Sequence, residues 1–256
     1  MRVASAGHAA FAAIMIALGV EGLITGRFTP VWQPVSSGVP ARDALVYLCA
    51  AISLACGIGL LWERTAALAA RVLLTYLVIW LLVFRLSDIV RAPAAFNSWD
   101  GCAETAVIVA GAWVLYARFA AGDHGVRIAR ALYGVALIPF SLAHFLYVTQ
   151  TAALVPAWLP AHVTLAYATG GTFLAAAVAV LFDVRAQLAA ALSALQIGLF
   201  TLLVWVPVVV AGRPNAFQWS ETVISATLTA GAWVVADSYR GIPWIAVNQR
   251  SHGDLP

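Results

Sequence analysis

The sequence predicts an all-α polytopic membrane protein of eight transmembrane helices, arranged as two parallel four-helix bundle repeats over residues 1–122 and 123–256. Three observations predict it: a composition too apolar for water, apolar runs of membrane-crossing length, and self-similarity at an offset near 120 residues. Of 256 residues, 63% are hydrophobic and 10% charged, and the mean hydropathy is +0.92. Soluble domains carry roughly 45–50% apolar and about 25% charged residues. The surplus apolar surface therefore belongs against a lipid bilayer. The same composition excludes a disordered chain and a secreted disulfide scaffold. A formal charge of +3, with all 14 basic residues arginine, leaves no basic patch for nucleic acid.

A helix crosses roughly 30 Å of hydrocarbon with about 20 residues. Residues 9–26 are the first such run, retained as a span because Glu21 interrupts it and no convincing small-residue cleavage site follows. Residues 44–84 would be about 60 Å long as one helix, twice the membrane, so they fold back at Glu63-Arg64-Thr65 into spans two and three. Residues 101–117 and 131–149 supply spans four and five. Residues 162–210 repeat the double-length problem, broken at Asp183 and Arg185, and give spans six and seven. The eighth covers 221–239. Cys49, Cys56 and Cys102 lie in apolar runs without a Cys-x-x-Cys pair, so they read as small core residues.

Displaced by 120 residues, Gly111-Ala112-Trp113-Val114 falls on Gly231-Ala232-Trp233-Val234, Trp99 on Trp219, Tyr47 on Tyr167, and Glu63 on Asp183. Pro30-Val31-Trp32-Gln33-Pro34 resembles Pro156-Ala157-Trp158-Leu159-Pro160 at 126, and an intervening offset near 123 sets Glu21 opposite His144. Four spans per unit is an even number, so both units enter and leave on one side as parallel repeats. That side holds nine of the 14 arginines, which places both termini in the cytoplasm of a bacterial-type inner membrane. Trp32, Trp99, Trp158 and Trp219 mark the opposite headgroup level.

Ionisable residues inside a span are costly and read as functional candidates. Glu21 and His144 lie about 8–9 Å inside the outer boundary. They are expected either to pair with each other or to bind a ligand's polar head. Glu104 and Glu221 open spans four and eight, where a carboxylate either complements the helix dipole or anchors a ligand. Arg85 and Asp88, at i,i+3, form an ion pair at the exit of span three or an entrance to the site. His162 opens span six, as an interfacial hydrogen-bonding residue or a ligand contact. No residue set suits a metal, and a haem held by His144 and His162 is disfavoured because each helix supplies one histidine only.

In each half, a polar residue in the first helix (Ser141-Leu142-Ala143-His144-Phe145), a Pro156-x-Trp158-x-Pro160 loop, Tyr167-Ala168-Thr169-Gly170-Gly171, the acidic turn at Asp183 and Gly231-Ala232-Trp233 recur. This pattern resembles the DoxX-like family of small four-helix membrane proteins, here as a fused tandem duplication. The first half departs with Glu21 for His144 and Ala51 for Gly171. The resemblance implies a redox-associated membrane subunit with a redox partner subunit, binding a quinone or other small ligand in the outer half of the bundle. There His144 would donate to a quinone carbonyl and Glu21 accept a proton. Whether the chain is catalytic stays open. The rival expectations are a small-molecule transporter and a non-catalytic assembly subunit. The transporter lacks paired Gly/Pro interruptions: Pro139 and Pro207 have no partners in the first half.

Overall fold

The computed structural model describes residues 5–33, 35 and 37–246. Arg2, Pro34 and Arg250, and the tail at 247–256, lie outside the described residues. The helices are α1 (Ala6–Thr25), α2 (Arg42–Leu60), α3 (Glu63–Arg91), α4 (Phe96–Ala120), α5 (Gly122–Leu146), the short α6 (Val148–Ala153), α7 (His162–Leu181), α8 (Ala186–Val210) and α9 (Ala216–Asp237). No strand occurs among the described residues.

Seven of these helices, all but α6 and α9, are long and apolar enough to cross a membrane. The molecule is accordingly a polytopic helical membrane protein in its composition and in its elements. The eighth expected span, α9, has 22 residues but not the apolar composition. Gln218, Ser220, Glu221, Thr222, Ser225, Thr227 and Thr229 punctuate it. It packs on α1, α4 and α8 instead of facing outward, so protein covers much of its circumference and polar side chains there need not meet lipid.

Helices α4 and α9 run side by side through the middle, and each also packs on the first helix of the other half, α5 and α1 respectively. They cross at Gly111 and Gly231, where a Cβ on Gly111 would lie 2.9 Å from the Gly231 Cα. Small residues at such a crossing let backbones approach and raise dispersion contact without a hydrophobic driving force. The end carrying both chain termini is closed by polar contacts. Asp237 accepts from the Gly7 amide at 3.0 Å and pairs with Arg240 at 2.9 Å. Arg130 lies 3.7 Å over the Tyr239 ring and donates to Ser238. Burial pushes the Tyr239 hydroxyl up to about 12, against the opposing pull of Arg130.

Several backbone irregularities fall 120 residues apart. Ala41 and Ala161, just before α2 and α7, both take left-handed φ, 51° and 55°. Helices α3 and α8 each contain one π-helical segment, Leu81–Arg85 and Thr201–Trp205. A π turn bonds i to i+5, so it holds an extra residue and rotates the remainder of the helix about its axis. The last residue of each segment, Arg85 or Trp205, is thereby buried at 8% and 6% exposure.

Candidate functional site

Helices α4, α5, α7, α8 and α9, with α6 above them, line an open cavity of about 220 Å³ near the loop end opposite the termini. Each helix contributes by its periodicity. Asp100 and Glu104 stand one turn apart on α4, Phe140 and His144 one turn apart on α5, and Glu221 and Ser225 one turn apart on α9. Phe173, Phe200 and Trp205 complete an aromatic wall from α7 and α8. Helix α7 reaches α5 closely at Gly170, whose added Cβ would lie 2.9 Å from the His144 Cβ. The Ser141 hydroxyl donates to the Gly170 carbonyl at 2.8 Å.

Three of the seven residues singled out from sequence thus line one cavity: His144, Glu104 and Glu221. The helix-dipole explanation of the two glutamates does not hold. Helices α4 and α9 begin at Phe96 and Ala216, earlier than the sequence indicates, and neither has an acid in its first turn. Glu104 has Asp100, Arg85 and Glu221 within electrostatic reach. Arg85 points inward and donates from Nε to the Thr105 hydroxyl at 3.1 Å, over Gly101. It does not pair with Asp88, because the π segment turns it away. Asp88 lies instead 3.9 Å from the exposed Arg91.

Glu21 and His144 do not pair. Glu21 accepts from the Trp219 indole at 2.6 Å, linking α1 to α9 outside the cavity. His162 opens α7 as expected but does not line the cavity. Among the described residues, no group of three or more His, Cys, Asp or Glu is placed to hold a metal ion.

The orientation of His144 decides what the cavity can bind. Its Nδ1 lies 2.9 Å from the Phe140 carbonyl, which can only accept, so Nδ1 carries the proton. In the neutral ring Nε2 is then an acceptor. On this geometry His144 would donate to a quinone carbonyl only as the imidazolium, in which both ring nitrogens carry protons. Ionised Glu104, Glu221 and Asp100 also accept only. Ser225 is engaged with Thr201 at 2.8 Å, and Thr151 donates to backbone carbonyls of its own turn. Trp205 adds its ring to the wall and packs edge-on against Phe217. The cavity therefore presents acceptors among aromatic rings, together with whichever of the three clustered carboxyl groups keeps its proton and can donate.

Asp100, Phe173, Phe200 and Trp205 escaped the sequence reading. The 120-residue offset carried a signal for two of them: Trp205 stands opposite Arg85, and Phe200 opposite Trp80. No family model, curated protein or solved structure matches the chain.

Proposed function

We propose that the protein is a redox-associated membrane subunit of the DoxX-like kind that binds a lipid-soluble, hydroxyl-bearing aromatic ligand, of the quinol class, in the cavity around His144. The carrying observation is the bond from His144 Nδ1 to the Phe140 carbonyl, which leaves Nε2 an acceptor beside three carboxylates. A quinol hydroxyl donates to such a wall. The oxidised quinone can only accept, and it loses the bond to Nε2. Phe140, Phe173 and Phe200 stack on the ring. On this reading Arg85 balances part of the acidic charge and does not touch the ligand, and the electron acceptor belongs to a redox partner subunit. The two four-helix repeats, 1–122 and 123–256, with eight spans and cytoplasmic termini in an inner membrane, complete the proposal. The paired left-handed alanines and π segments 120 residues apart support it.

The test is anaerobic calorimetric titration of the purified protein with a tail-less substituted hydroquinone and its quinone. The hydroquinone is expected to bind at least about tenfold tighter, one hydrogen bond in a desolvated site. His144→Ala and Glu221→Gln are expected to lose that preference. Equal affinity for both forms would overturn the donor assignment, and binding of neither would overturn the cavity as the ligand site.

One observation favours the transporter reading as the second. Transporter folds carry helix irregularities at equivalent positions, and the π segments of α3 and α8 are such a pair, although both helices run continuously through them. Uptake of the same ligand into proteoliposomes, abolished in His144→Ala, would establish it.

A further inference from the structure

A cavity of about 220 Å³ is small for the ligand just proposed, since pockets that enclose drug-sized molecules run roughly 300–1,000 Å³. It has room for a head group, and the remainder of a lipid-soluble molecule must lie elsewhere. An open groove of about 1200 Å³ runs along the outer face of α7 and α8. Its walls are mostly leucine, valine and alanine, and it shares Leu154 and Phe200 with the polar cavity. The two spaces therefore adjoin at these side chains. From the shared wall the groove extends down the helices past Leu192 to Leu188 and Arg185, at the turn near the termini. The polar side chains along it are largely engaged: the Thr172 hydroxyl donates to Gln196 at 2.6 Å, Gln196 donates to the Thr169 carbonyl at 3.3 Å, and Ser193 bonds Tyr133 at 2.9 Å.

We infer that the α7–α8 groove is the binding site for the apolar tail of the ligand whose head occupies the His144 cavity, and that the ligand enters sideways from the bilayer between Leu154 and Phe200. The inference rests on the proposed head-group site. Its occupant is a long hydrocarbon or isoprenoid chain attached to the donor-bearing ring. Adjacency to the cavity, across the side chains of Leu154 and Phe200 that line both spaces, is the argument for this occupant over bulk lipid. The first half carries the complementary evidence. There Tyr76, Trp80 and Phe84 stand where α8 has Gln196, Phe200 and Val204, and Ile52 stands for Thr172. Bulky side chains occupy the corresponding positions, so the space is specific to the half that has the acidic cavity.

Gly171 makes the idea testable, because it lines the groove and a Cβ there meets nothing within 4 Å. Gly171→Trp is expected to place its indole in the groove, since its Cβ has open space, and Gly171→Ala serves as the control. Tail-less and long-tailed forms of one hydroquinone are titrated in nanodiscs against wild type, Gly171→Trp and Gly171→Ala. In wild type the tail is expected to raise affinity at least tenfold. Gly171→Trp is expected to remove most of that gain while binding the tail-less form as wild type does. Bilayer partition raises the long-tailed affinity equally in all three proteins, so the difference between variants isolates the groove. An undiminished gain in Gly171→Trp would overturn the inference and leave bulk lipid in the groove. A change of oligomeric state in Gly171→Trp would overturn it in favour of a second copy. Failure of the tail-less ligand to bind wild type would instead sink the head-group site, a distinguishable result.

Discussion

The two halves of the molecule place similar motifs in the same helices and treat the space beneath them in opposite ways. In the first half, the loop after α1 folds through a turn at Pro30–Trp32 that starts with proline and closes when Gln33 donates to the Phe28 carbonyl at 2.9 Å. That turn drives Trp32 inward to 1% exposure, against Tyr76 at 5.0 Å and Trp80 at 5.3 Å. Phe84 stacks on Trp80 at 4.3 Å and completes a solid aromatic block. In the second half, α6 follows α5 directly, and the tryptophan of the matching Pro-x-Trp-x-Pro segment, Trp158, remains 71% exposed. Nothing equivalent fills the bundle below it. Around the resulting void stand His144, Glu104 and Glu221. The halves thus differ in packing: aromatic rings fill the first, whereas a cavity stands among α5, α7, α8 and α9 of the second, with Asp100 and Glu104 of the first on its wall.

The largest effect that could break this comparison is at the two tryptophans. Trp32→Ala removes a fully buried aromatic from a packed cluster and is expected to cost about 3–5 kcal/mol of stability. Trp158→Ala is expected to change stability by no more than about 0.5 kcal/mol, as for an exposed side chain with few contacts. Denaturant or thermal unfolding of both variants in one detergent measures the contrast. Equal costs would mean that Trp158 also packs inward and that the halves do not differ.

Much of this architecture is legible in the residues alone. Apolar run lengths located seven spans, and the double-length runs turned where Glu63 and Asp183 required. The eighth helix was legible by length, but its polar face was not recognisably an interior one, because burial among α1, α4 and α8 is a tertiary property. Helix starts at α4 and α9 were missed by about five residues, since Phe96-Asn97-Ser98 and Ala216-Phe217-Gln218 carry no apolar signal of their own. Of the site, His144, Glu104 and Glu221 were legible because a charge in lipid is expensive wherever it sits. That Glu21 and His144 do not pair was not, although the offset that aligns them was visible. Residues that align at an offset need not touch, and here each meets the other half of the chain: Glu21 meets Trp219, and His144 shares its cavity with Asp100 and Glu104. The π segments also left no trace in sequence. They are set by how a helix wraps the core, and they alone decide that Arg85 points to Thr105 and not to Asp88.

A second contrast lies at the central crossing. A methyl on Gly111 meets the Gly231 Cα at 2.9 Å, a backbone atom that cannot turn aside. One on Gly231 meets the Val107 carbonyl at 3.1 Å, which a small shift relieves. Each substitution gains about 1 kcal/mol in helix propensity. Gly111→Ala is nevertheless expected to be destabilising by about 1–3 kcal/mol through overpacking, and Gly231→Ala to be close to neutral. The same unfolding measurement separates them. If Gly231→Ala proves the more damaging, the crossing is tighter on the second half's side, and the account of which backbone yields is wrong.

The smallest effect concerns how the halves are joined at the loop end. Trp219 reaches from α9 to Glu21 on α1, a charge-assisted bond between helices far apart in the chain. Its counterpart Trp99 donates at 2.9 Å to the carbonyl of Pro93, a few residues before it. A bond closing a local turn is largely replaceable by water, whereas one between helices of different halves restrains their packing. Trp219→Phe is therefore expected to cost about 0.5–1.5 kcal/mol and Trp99→Phe less, each keeping an aromatic ring while losing the N–H donor and the smaller ring of the indole. Partial exposure of the Glu21 contact keeps the figure at the lower end. Glu21→Gln keeps an acceptor oxygen and should cost less than Trp219→Phe. Combined, the two should fall short of additivity, because they remove one interaction. Strict additivity would show that Glu21 and Trp219 act independently, and the hollow half would then be held to the filled one by the α4–α9 crossing and the contacts at the terminal end alone.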